Sequence, residues 1–241
     1  MTHPDPREPL APGHAAVEWA GERVHLLPDK ALWWPAGATL FVADVHLGKG
    51  ATYRALGQPV PTGTTHDNLQ RLSQALDGWG ARRLVVLGDF LHAAQARTPP
   101  VLAALDAWRQ RHCHTEMCVV RGNHDSHAGD PPAHLGMQVV EEPWLLGPFA
   151  CCHHPQLHPT HFVLAGHVHP VCRLWGPGRD RLRLPCFVHT PSGATLPAFG
   201  AFTGGHLHDP THDTTAYAIG GGRVWRVPAA PPHRGRPYPI T

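Results

Sequence analysis

The sequence contains no long apolar run, no paired cysteine motif and little net charge. No stretch approaches the ~20 consecutive apolar residues that a membrane-spanning helix needs, and the proline-rich first residues lack the apolar core of a signal peptide. These absences predict a protein without a membrane anchor, for which the cytoplasm is the expected location. The formal net charge is only +2, so overall charge does not predict nucleic-acid binding, although it allows a local basic face.

The six cysteines form neither a metal-binding nor a disulfide pattern. None belongs to a C-x-x-C pair, and Cys151 and Cys152 are adjacent, which is a poor geometry for a bridge between them. We expect all six to be reduced, buried and small hydrophobic residues.

The length and composition indicate one globular domain. The chain has 241 residues, of which 42% are hydrophobic, and it can therefore build a core without covalent cross-links. The ends at residues 1–13 and 229–241 are rich in proline, as is typical of flexible tails, so we predict a single domain at residues 14–228.

Histidine is unusually abundant, with 22 histidines against only 18 acidic residues. Neutral imidazole is the commonest protein ligand for transition metals. Because histidines also occur near both ends of the chain, the count alone does not predict a metal site, and the spacing has to decide.

The first half of the chain alternates apolar strands with amphipathic helices. Leucine and tryptophan at helical spacing predict helices at residues 65–79 and 99–111, and near-continuous apolar runs predict buried strands at residues 38–43, 83–87 and 117–120. This order of strands and helices implies a parallel sheet.

The remaining apolar runs are short. A hairpin is predicted at residues 16–27, and the runs after residue 135 predict a second, more mixed sheet. These runs lie at residues 137–140, 144–146, 149–152, 162–165, 171–174, 182–190, 215–219 and 223–227. We therefore predict an α/β fold in which two mixed β-sheets pack face to face with helices outside.

Five polar clusters each follow a predicted strand. They are Asp44-Val45-His46, Gly88-Asp89-Phe90-Leu91-His92, Gly122-Asn123-His124-Asp125, His153-His154 and Gly166-His167-Val168-His169. In α/β folds, ligands gather at the carboxyl ends of strands, so the five clusters can converge.

The residue types fit a pair of divalent metal ions. Two ions about 3.5–4 Å apart need a shared carboxylate, and Asp89 is the natural bridge. Asp44, His46 and His169 would complete one ion, and Asn123, His153 and His167 the other. Mixed imidazole and oxygen ligands favour manganese, iron or zinc over calcium or magnesium.

This ligand set predicts hydrolysis of phosphate esters. A metal-held water or hydroxide would attack phosphorus in line with the leaving oxygen. His124 would protonate that oxygen or bind the phosphate, and Asp125 would orient its imidazole. Each cluster taken alone also fits a turn or a surface histidine, but five such clusters after five strands favour the metal site.

The clusters together resemble the calcineurin-like metallophosphoesterase superfamily, whose pattern is D-x-H, G-D-x-x-[DH], G-N-H-[DE], a lone H, and G-H-x-H. The match spans Asp44 to His169. The resemblance implies a four-layer α/β/β/α fold and a manganese, iron or zinc pair. It also favours His153 over His154 as the ligand, because the first histidine after that strand usually binds the metal in this family.

A narrower resemblance, over residues 15–227, is to the bacterial ligase-associated DNA-damage-response endonucleases. It rests on Asp44–Lys49, Gly88–His92, His153–Pro155, Ala165–Pro170 and Leu196–Gly205. This resemblance implies manganese, a DNA substrate, a role in DNA repair, a neighbouring ATP-dependent DNA ligase and helicase as partners, and a homodimer.

His92 stands where most of the superfamily has aspartate. It is expected to contact the substrate phosphate or the nucleophile, or else merely to bond a neighbouring loop. Lys49, Arg54 and Arg173 are candidate DNA-phosphate ligands, as are Arg179, Arg181 and Arg183, because a guanidinium matches phosphate oxygens. A solvated hairpin face is the alternative. We see no recognition helix and no aromatic platform, so sequence-independent binding is expected.

Three functions remain open at this point. The first is a metal-dependent DNA nuclease. The second is a small-molecule phosphatase or phosphodiesterase acting on nucleotides or lipid-linked sugars. The third is a non-enzymatic, metal-stabilised interaction module, with the segment Ala198–Asp213 as an exposed docking loop or dimer surface.

Overall fold

The computed structural model describes residues 13–59, 63–93, 96–175, 181–201, 203–208 and 211–227. The predicted tails, apart from Gly13, lie outside these ranges, and the division into tails and one domain stays a prediction. Within the described ranges, no helix is both long enough and apolar enough to cross a membrane.

The first sheet has seven strands, which lie side by side in the order of the sequence. The first four strands pair antiparallel and the last four pair parallel, so the fourth strand is the junction. The strands are β1 (Ala15–Trp19), β2 (Glu22–Leu26), β3 (Leu32–Trp34), β4 (Thr39–Val42), β5 (Arg83–Leu87), β6 (Glu116–Val120) and β7 (Gln138–Val140). The predicted hairpin and the predicted parallel strands are confirmed.

The second sheet has nine strands of mixed direction. They are β8 (Trp144–Leu146), β9 (Phe149–Cys151), β10 (Phe162–Ala165), β11 (Pro170–Trp175), β12 (Arg181–Thr190), β13 (Gly193–Thr195), β14 (His206–Leu207), β15 (Thr215–Gly220) and β16 (Arg223–Arg226). Most neighbouring pairs are antiparallel, but β9–β10, β10–β13 and β11–β14 are parallel. The two mixed sheets are thus confirmed.

Four α-helices lie in the described part of the chain, all before residue 129. They are α1 (Lys49–Ala55), α2 (Thr64–Trp79), α3 (Pro99–Arg111) and α4 (Asn123–Ala128), and a 3-10 turn follows at Ala133–Leu135. α2 and α3 match the predicted helices to within one residue, whereas α1 and α4 were not predicted. The described residues after 136 contain strands and loops only, so the described helical layer belongs to the first half of the chain.

Alternating residues of the central strands build two apolar layers. Leu40 and Val42 of β4 point to one side and pack with Leu72 of α2. Phe41 points to the other side and packs with Phe149 of the second sheet. Because successive side chains of a strand face opposite ways, a strand covered on both faces is apolar throughout. This is why the central strands appear as unbroken apolar runs in the sequence.

Two sequence expectations need correction. The run at residues 137–140 forms β7, which pairs parallel with β6 in the first sheet and does not belong to the second. A run with only three apolar residues fits either sheet, and only the tertiary structure decides that it pairs with β6. All six cysteines are free as expected, but Cys113 is exposed rather than buried.

Candidate metal centre

The five polar clusters follow strands whose carboxyl ends meet at one edge of the two-sheet core. Three of the strands, β4, β5 and β6, are parallel neighbours in the first sheet. The other two, β9 and β10, are parallel neighbours in the second sheet. The arrangement therefore brings together groups that are up to 125 positions apart in the sequence.

One half of the centre combines three predicted ligands. Nε2 of His169 lies 3.4 Å from Oδ1 of Asp44 and 3.4 Å from Nε2 of His46. The side chains of Asp44 and His46 are almost completely buried. These three side chains place their donor atoms close enough to hold one ion between them.

The other half combines the remaining predicted ligands. Nε2 of His153 lies 2.8 Å from Oδ1 of Asn123 and 3.0 Å from Nδ1 of His167. The His153 ring has no exposed surface. An amide oxygen and two imidazoles thus face one another on the second-sheet side of the centre.

Asp89 lies between the two halves. Its Oδ2 is 3.8 Å from Nε2 of His46, and its Oδ1 is 3.6 Å from Nε2 of His153. One carboxylate therefore reaches ligand atoms of both groups, as a bridging ligand must. Burial raises the pKa of Asp89, with nearby Asp44 adding to the effect and the backbone N–H of His124 opposing it.

Backbone carbonyls fix which ring nitrogen of two histidines carries the proton. Nδ1 of His153 lies 3.2 Å from the Leu87 carbonyl oxygen, and Nδ1 of His169 lies 3.0 Å from that of Thr203. A carbonyl only accepts hydrogen bonds, so Nδ1 is the donor in both rings. Nε2 then presents its lone pair to the centre, which is the arrangement of metal-ligating histidines.

The electrostatics of the cluster also fit cations. Burial, reinforced by Lys49 and by neighbouring imidazoles, lowers the pKa of His46 to about 2, so its ring is neutral and able to ligate. Oδ1 of Asp44 is buried and has no hydrogen-bond partner among the described residues. Buried anionic oxygens and imidazole lone pairs that face one another are unfavourable unless positive charge lies between them. The donor set therefore fits a pair of divalent ions.

The backbone is strained at the same positions. Among the described residues, eight non-glycine residues have positive φ, and five of them are predicted ligands. These five are Asp44 (53°), His46 (48°), Asp89 (51°), His167 (67°) and His169 (50°). Left-handed backbone costs about 1–3 kcal/mol at a non-glycine residue and concentrates at functional sites. The strain directs these side chains inward after each strand has ended.

Glycines allow the backbone to approach these side chains closely. A Cβ atom on Gly88, whose φ is +82°, would overlap the His153 ring. One on Gly122 would overlap the Asp89 carboxylate, and one on Gly166 would lie 2.7 Å from Oδ2 of Asp44. Each glycine that precedes a ligand in the sequence therefore also makes room for a ligand from another strand.

His124 faces the centre from the N-terminus of α4. Its backbone N–H donates to Oδ1 of Asp89 at 2.9 Å, and its Nε2 lies 4.0 Å from Oδ2 of the same residue. Nδ1 of its ring donates to the His92 carbonyl oxygen at 3.0 Å, so Nε2 is the nitrogen that faces the centre. Its side chain is 41% exposed, which leaves it accessible.

The predicted orienting contact between Asp125 and the His124 imidazole is absent from the described hydrogen bonds. The carboxylate of Asp125 accepts from the backbone N–H of Leu91 at 3.2 Å and from that of Gly122 at 3.0 Å. Asp125 thus joins the loops after β5 and β6, and the carbonyl of His92 orients the imidazole instead. Burial raises the pKa of the Asp125 carboxyl to about 6.

The His92 ring packs within the site, and its backbone N–H donates to the Leu47 carbonyl oxygen of a neighbouring loop at 3.1 Å. Its ring stacks on that of His124, with centroids 5.1 Å apart, and meets that of His46 edge-on at 5.3 Å. Burial, with Lys49 and His124 adding to it, lowers the pKa of His92 to about 4, so the ring is neutral at neutral pH. A contact with substrate or nucleophile stays a prediction.

α1 brings further groups to the centre. Lys49 is buried and close enough to Asp89 and Asp44 to interact with their charges, and burial lowers its pKa. Its Nζ lies 5.7 Å from the ring centroid of Tyr53, which meets His92 edge-on. Tyr53 was not among the predicted site residues because α1 was not predicted. Arg54 occupies the last turn of α1 and is half-buried.

The segment Ala198–Asp213, expected to be exposed, begins inside the core. Ala198 and Phe199 are buried, and Phe199 N–H donates to the Ala43 carbonyl oxygen at 2.8 Å. Gly200 N–H donates to the carbonyl oxygen of Asp44 at 3.0 Å. The first part of this segment therefore supports the backbone of the metal centre and does not form a free docking loop. Residues 202, 209 and 210 lie outside the described ranges.

Glu142 accounts for the second histidine of the His153-His154 pair. Its carboxylate accepts from the backbone N–H groups of both histidines, at 2.6 and 2.8 Å, and pairs with Nδ1 of His154 at 2.7 Å. The side chain of His154 is 45% exposed, whereas that of His153 is fully buried. The structure therefore distinguishes the neighbours by burial, although His154 also lies close to His167.

The two histidines are expected to differ in metal binding. His153→Ala should lose at least one of two bound ions, because Asn123 and His167 then lack their shared neighbour. His154→Ala should retain both ions, because it removes a partly exposed ring held by Glu142. Elemental analysis of each variant after manganese loading and desalting measures the difference. Ion loss in His154→Ala alone would make His154 the ligand.

Comparisons with known proteins agree with this fold. The crystal structure of the nuclease MPE from Pseudomonas putida is 48% identical to this chain, with a TM-score of 0.79, and the alignment covers 89% of this chain and 100% of that one. The YfcE phosphoesterase from E. coli matches at 17% identity and a TM-score of 0.41, over 78% of this chain and 97% of that one, a likeness too low to inform on function. No protein-family model and no curated protein matches the chain.

The fold and the His/Asp centre define a metal-dependent phosphoester hydrolase. The chain belongs to the calcineurin-like metallophosphoesterase superfamily, as the identity to the Pseudomonas enzyme over nine-tenths of its length shows.

Proposed function

We propose that the protein is a nuclease that hydrolyses phosphodiester bonds of DNA, independently of sequence, with two divalent ions. The observation that carries the proposal is the position of Asp89, whose two oxygens lie 3.8 Å from Nε2 of His46 and 3.6 Å from Nε2 of His153. A structural site binding one ion would not need a carboxylate between two ligand groups. The 48% identity to an enzyme described as a nuclease supports a nucleic acid as the substrate class, and the choice of DNA rests on the family resemblance of the sequence.

The ions would be held by the seven predicted ligands. They are Asp44, His46, Asp89, Asn123, His153, His167 and His169. Divalent ions bound there would activate water as a nucleophile and neutralise charge on the phosphoryl group. We favour manganese because imidazole and oxygen donors are mixed, with iron or zinc as alternatives.

The chain's own groups would then position the phosphate. In its imidazolium form, His124 would donate from Nε2 a proton to the leaving oxygen or a hydrogen bond to a phosphoryl oxygen, while its Nδ1–H donates to the His92 carbonyl. His92, neutral and stacked on this ring, would restrict its rotation. Asp125 would hold the loop that carries His124 through its bonds to Leu91 and Gly122. Lys49 would add positive charge beside the carboxylates.

The direct test is a nuclease assay with added manganese, using plasmid and linear DNA. Turnover of bis-p-nitrophenyl phosphate and of the monoester p-nitrophenyl phosphate is measured in parallel. We expect DNA cleavage and preference for the diester by at least about tenfold. Dominance of the monoester, without cleavage of any single- or double-stranded DNA, would instead assign a small-molecule phosphatase and end the nuclease proposal.

A place in DNA repair, alongside an ATP-dependent ligase and a helicase, is proposed on the family resemblance alone. A homodimer and a cytoplasmic location likewise stay predictions.

A further inference from the structure

The segment that follows β13 supports one half of the metal centre. Gly200 N–H donates to the carbonyl oxygen of Asp44 at 3.0 Å, and the Thr203 carbonyl oxygen accepts from Nδ1 of His169 at 3.0 Å. The Thr203 hydroxyl donates to the carbonyl oxygen of Gly200 at 3.2 Å, so the two contacts belong to one turn. Asp44 and His169 are ligands of the same half of the centre. We call residues 198–201 and 203 the support segment.

The support segment lies tightly against the loop that carries two of the ligands. A Cβ atom on Gly200 would lie 2.4 Å from the carbonyl oxygen of Val45, the residue between Asp44 and His46. Both ligands have left-handed backbone, with φ angles of 53° and 48°. Such backbone persists only where the surrounding structure holds it. The position of the support segment therefore contributes to the orientation of these two ligands.

Arg71 of α2 holds the support segment from the outside. Its Nη1 donates to the Phe199 carbonyl oxygen at 3.0 Å, and its guanidinium carbon lies 4.3 Å from the centroid of the Phe199 ring. Its Nη2 donates at 3.1 Å to the carbonyl oxygen of Asp29, in the loop between β2 and β3. One side chain thus joins α2, the support segment and a loop of the first sheet.

The same face of α2 also contacts the ligand loop directly. Asn68 lies one turn before Arg71, and residues three apart on a helix share a face. Its Nδ2 donates to the Val45 carbonyl oxygen at 3.4 Å. Two polar side chains of α2 therefore approach backbone carbonyls around the centre, and Arg71 makes the shorter of the two bonds.

The contacts of Arg71 suit a guanidinium in particular. A guanidinium is planar and carries its N–H groups in a rigid fork, so it can donate to two carbonyls and lie over an aromatic ring at the same time. Arg71 is half-buried, and burial lowers the pKa of its guanidinium, with Asp29 opposing the effect. An arginine stays charged even so, which makes both hydrogen bonds charge-assisted.

We propose that Arg71 is a positioning residue for the metal centre. By fixing the support segment, it keeps Asp44 and His169 in place for one of the two ions. The proposal rests on the proposed function and extends it to a residue outside the five polar clusters. The other half of the centre depends on different contacts, such as the one between His153 and the Leu87 carbonyl oxygen. The loss of Arg71 should therefore affect mainly one ion.

The test compares Arg71→Met and Arg71→Lys with a matched control. Methionine is also unbranched but has neither the charge nor the donors, whereas lysine keeps the charge and loses the fork. Arg109→Met is the control, because Nε and Nη1 of Arg109 also donate to two backbone carbonyls, those of Leu135 and His112. Arg109 lies near the end of α3, which leads to the start of β6 at the sheet edge opposite the centre.

The first readout is manganese binding to the metal-free protein, measured by competition with a chelating dye. The wild type should bind two ions. In Arg71→Met, the Kd of one ion should rise about tenfold or more, as expected for the loss of a hydrogen bond to a charged group, while the other Kd stays close to the wild-type value. Arg71→Lys should show a smaller rise, and Arg109→Met should bind both ions as the wild type does.

The second readout is the Tm with and without metal, which separates positioning from a purely structural role. Tenfold weaker binding of one ion removes about 3–5 °C of metal-dependent stabilisation in a domain of this size. Arg71→Met should therefore lower the Tm of the manganese-loaded protein by about 3–5 °C more than the Tm of the protein in EDTA. Arg109→Met should lower both Tm values equally.

The outcomes distinguish the role of Arg71 from the proposed function. Unchanged Kd values in Arg71→Met, or equal Tm losses with and without metal, would overturn the positioning role. If the wild type binds no ion, the proposed function fails together with this proposal. If the wild type binds two ions and cleaves DNA while Arg71→Met binds both as tightly, only the role of Arg71 is wrong. If circular dichroism shows that Arg71→Met does not fold, Arg71→Lys decides, because an unchanged Kd in that variant would overturn the proposal.

Discussion

Asp89→Asn is expected to lower kcat on any phosphodiester by at least about a thousandfold while leaving the fold intact. The two oxygens of this carboxylate lie 3.8 Å from Nε2 of His46 and 3.6 Å from Nε2 of His153, so each oxygen approaches one half of the centre. An amide has the same shape but only one good donor atom and no negative charge, so a bridged pair of ions would be lost. Manganese content by elemental analysis should fall below one ion per chain.

In the metal-free protein, the same substitution is expected to leave the Tm unchanged or to raise it. Burial and the nearby Asp44 raise the pKa of Asp89, which means that its anionic form is disfavoured in the fold without a cation. Removing the charge should therefore leave the Tm of the chelated variant equal to or above that of chelated wild type. Thermal unfolding in excess EDTA measures this comparison.

Asp77→Asn is the matched control. Asp77 is 53% exposed and pairs with Arg111 on the helical surface, so its loss should cost little stability and no metal. Full metal content and activity in Asp89→Asn would contradict the bridging role. Loss of secondary structure would instead indicate that Asp89 is needed for folding, and circular dichroism separates the two results.

Removal of divalent ions is expected to lower the Tm of the wild-type protein by at least about 10 °C. An ion present at a thousand times its Kd stabilises the folded state by about 4 kcal/mol, and 1 kcal/mol shifts the Tm of a domain this size by about 2–4 °C. Two ions therefore account for the shift. Without them, the five left-handed ligand residues and the buried carboxylates are no longer offset by coordination.

Adding back different divalent ions distinguishes a transition-metal site from a magnesium site. Manganese, iron or zinc should restore the Tm, whereas magnesium should restore little, because imidazole donors are a poor match for it. Differential scanning calorimetry with and without chelator gives the values. A Tm that is independent of chelator, in protein shown to be metal-free, would contradict a metal-stabilised centre.

The predicted strands and helices agree with the structure where an element is covered on both faces or has one clear apolar face. β4, β5 and β6 are covered by helices on one side and by the second sheet on the other, so each is apolar after its first residue. α3 begins at Pro99, as its proline predicted. The polar clusters stand out because they interrupt apolar runs at the strand ends. The positions of these clusters could therefore be predicted without knowledge of any tertiary contact.

The missed elements have a different physical character. β3 is three residues long and lies within an apolar stretch that also suits a loop, and β14 has only two residues. α1 starts at Lys49, and its first turn lacks an acidic residue. Such short segments adopt their structure through contacts with their neighbours in the fold, because they are too short to show a periodic pattern. β7 was assigned to the wrong sheet for the same reason.

The amino-acid sequence by itself determined which groups gather at the strand ends, since alternation of buried strands and polar clusters is a local property. Tertiary structure alone decided that Leu87 and Thr203 orient the rings of His153 and His169, that Glu142 engages His154, and that Arg173 faces Arg183. The first two contacts use backbone carbonyls and the last one uses strand register, neither of which depends on the identity of neighbouring side chains. The contact of Glu142 with His154 joins two side chains that only the fold brings together.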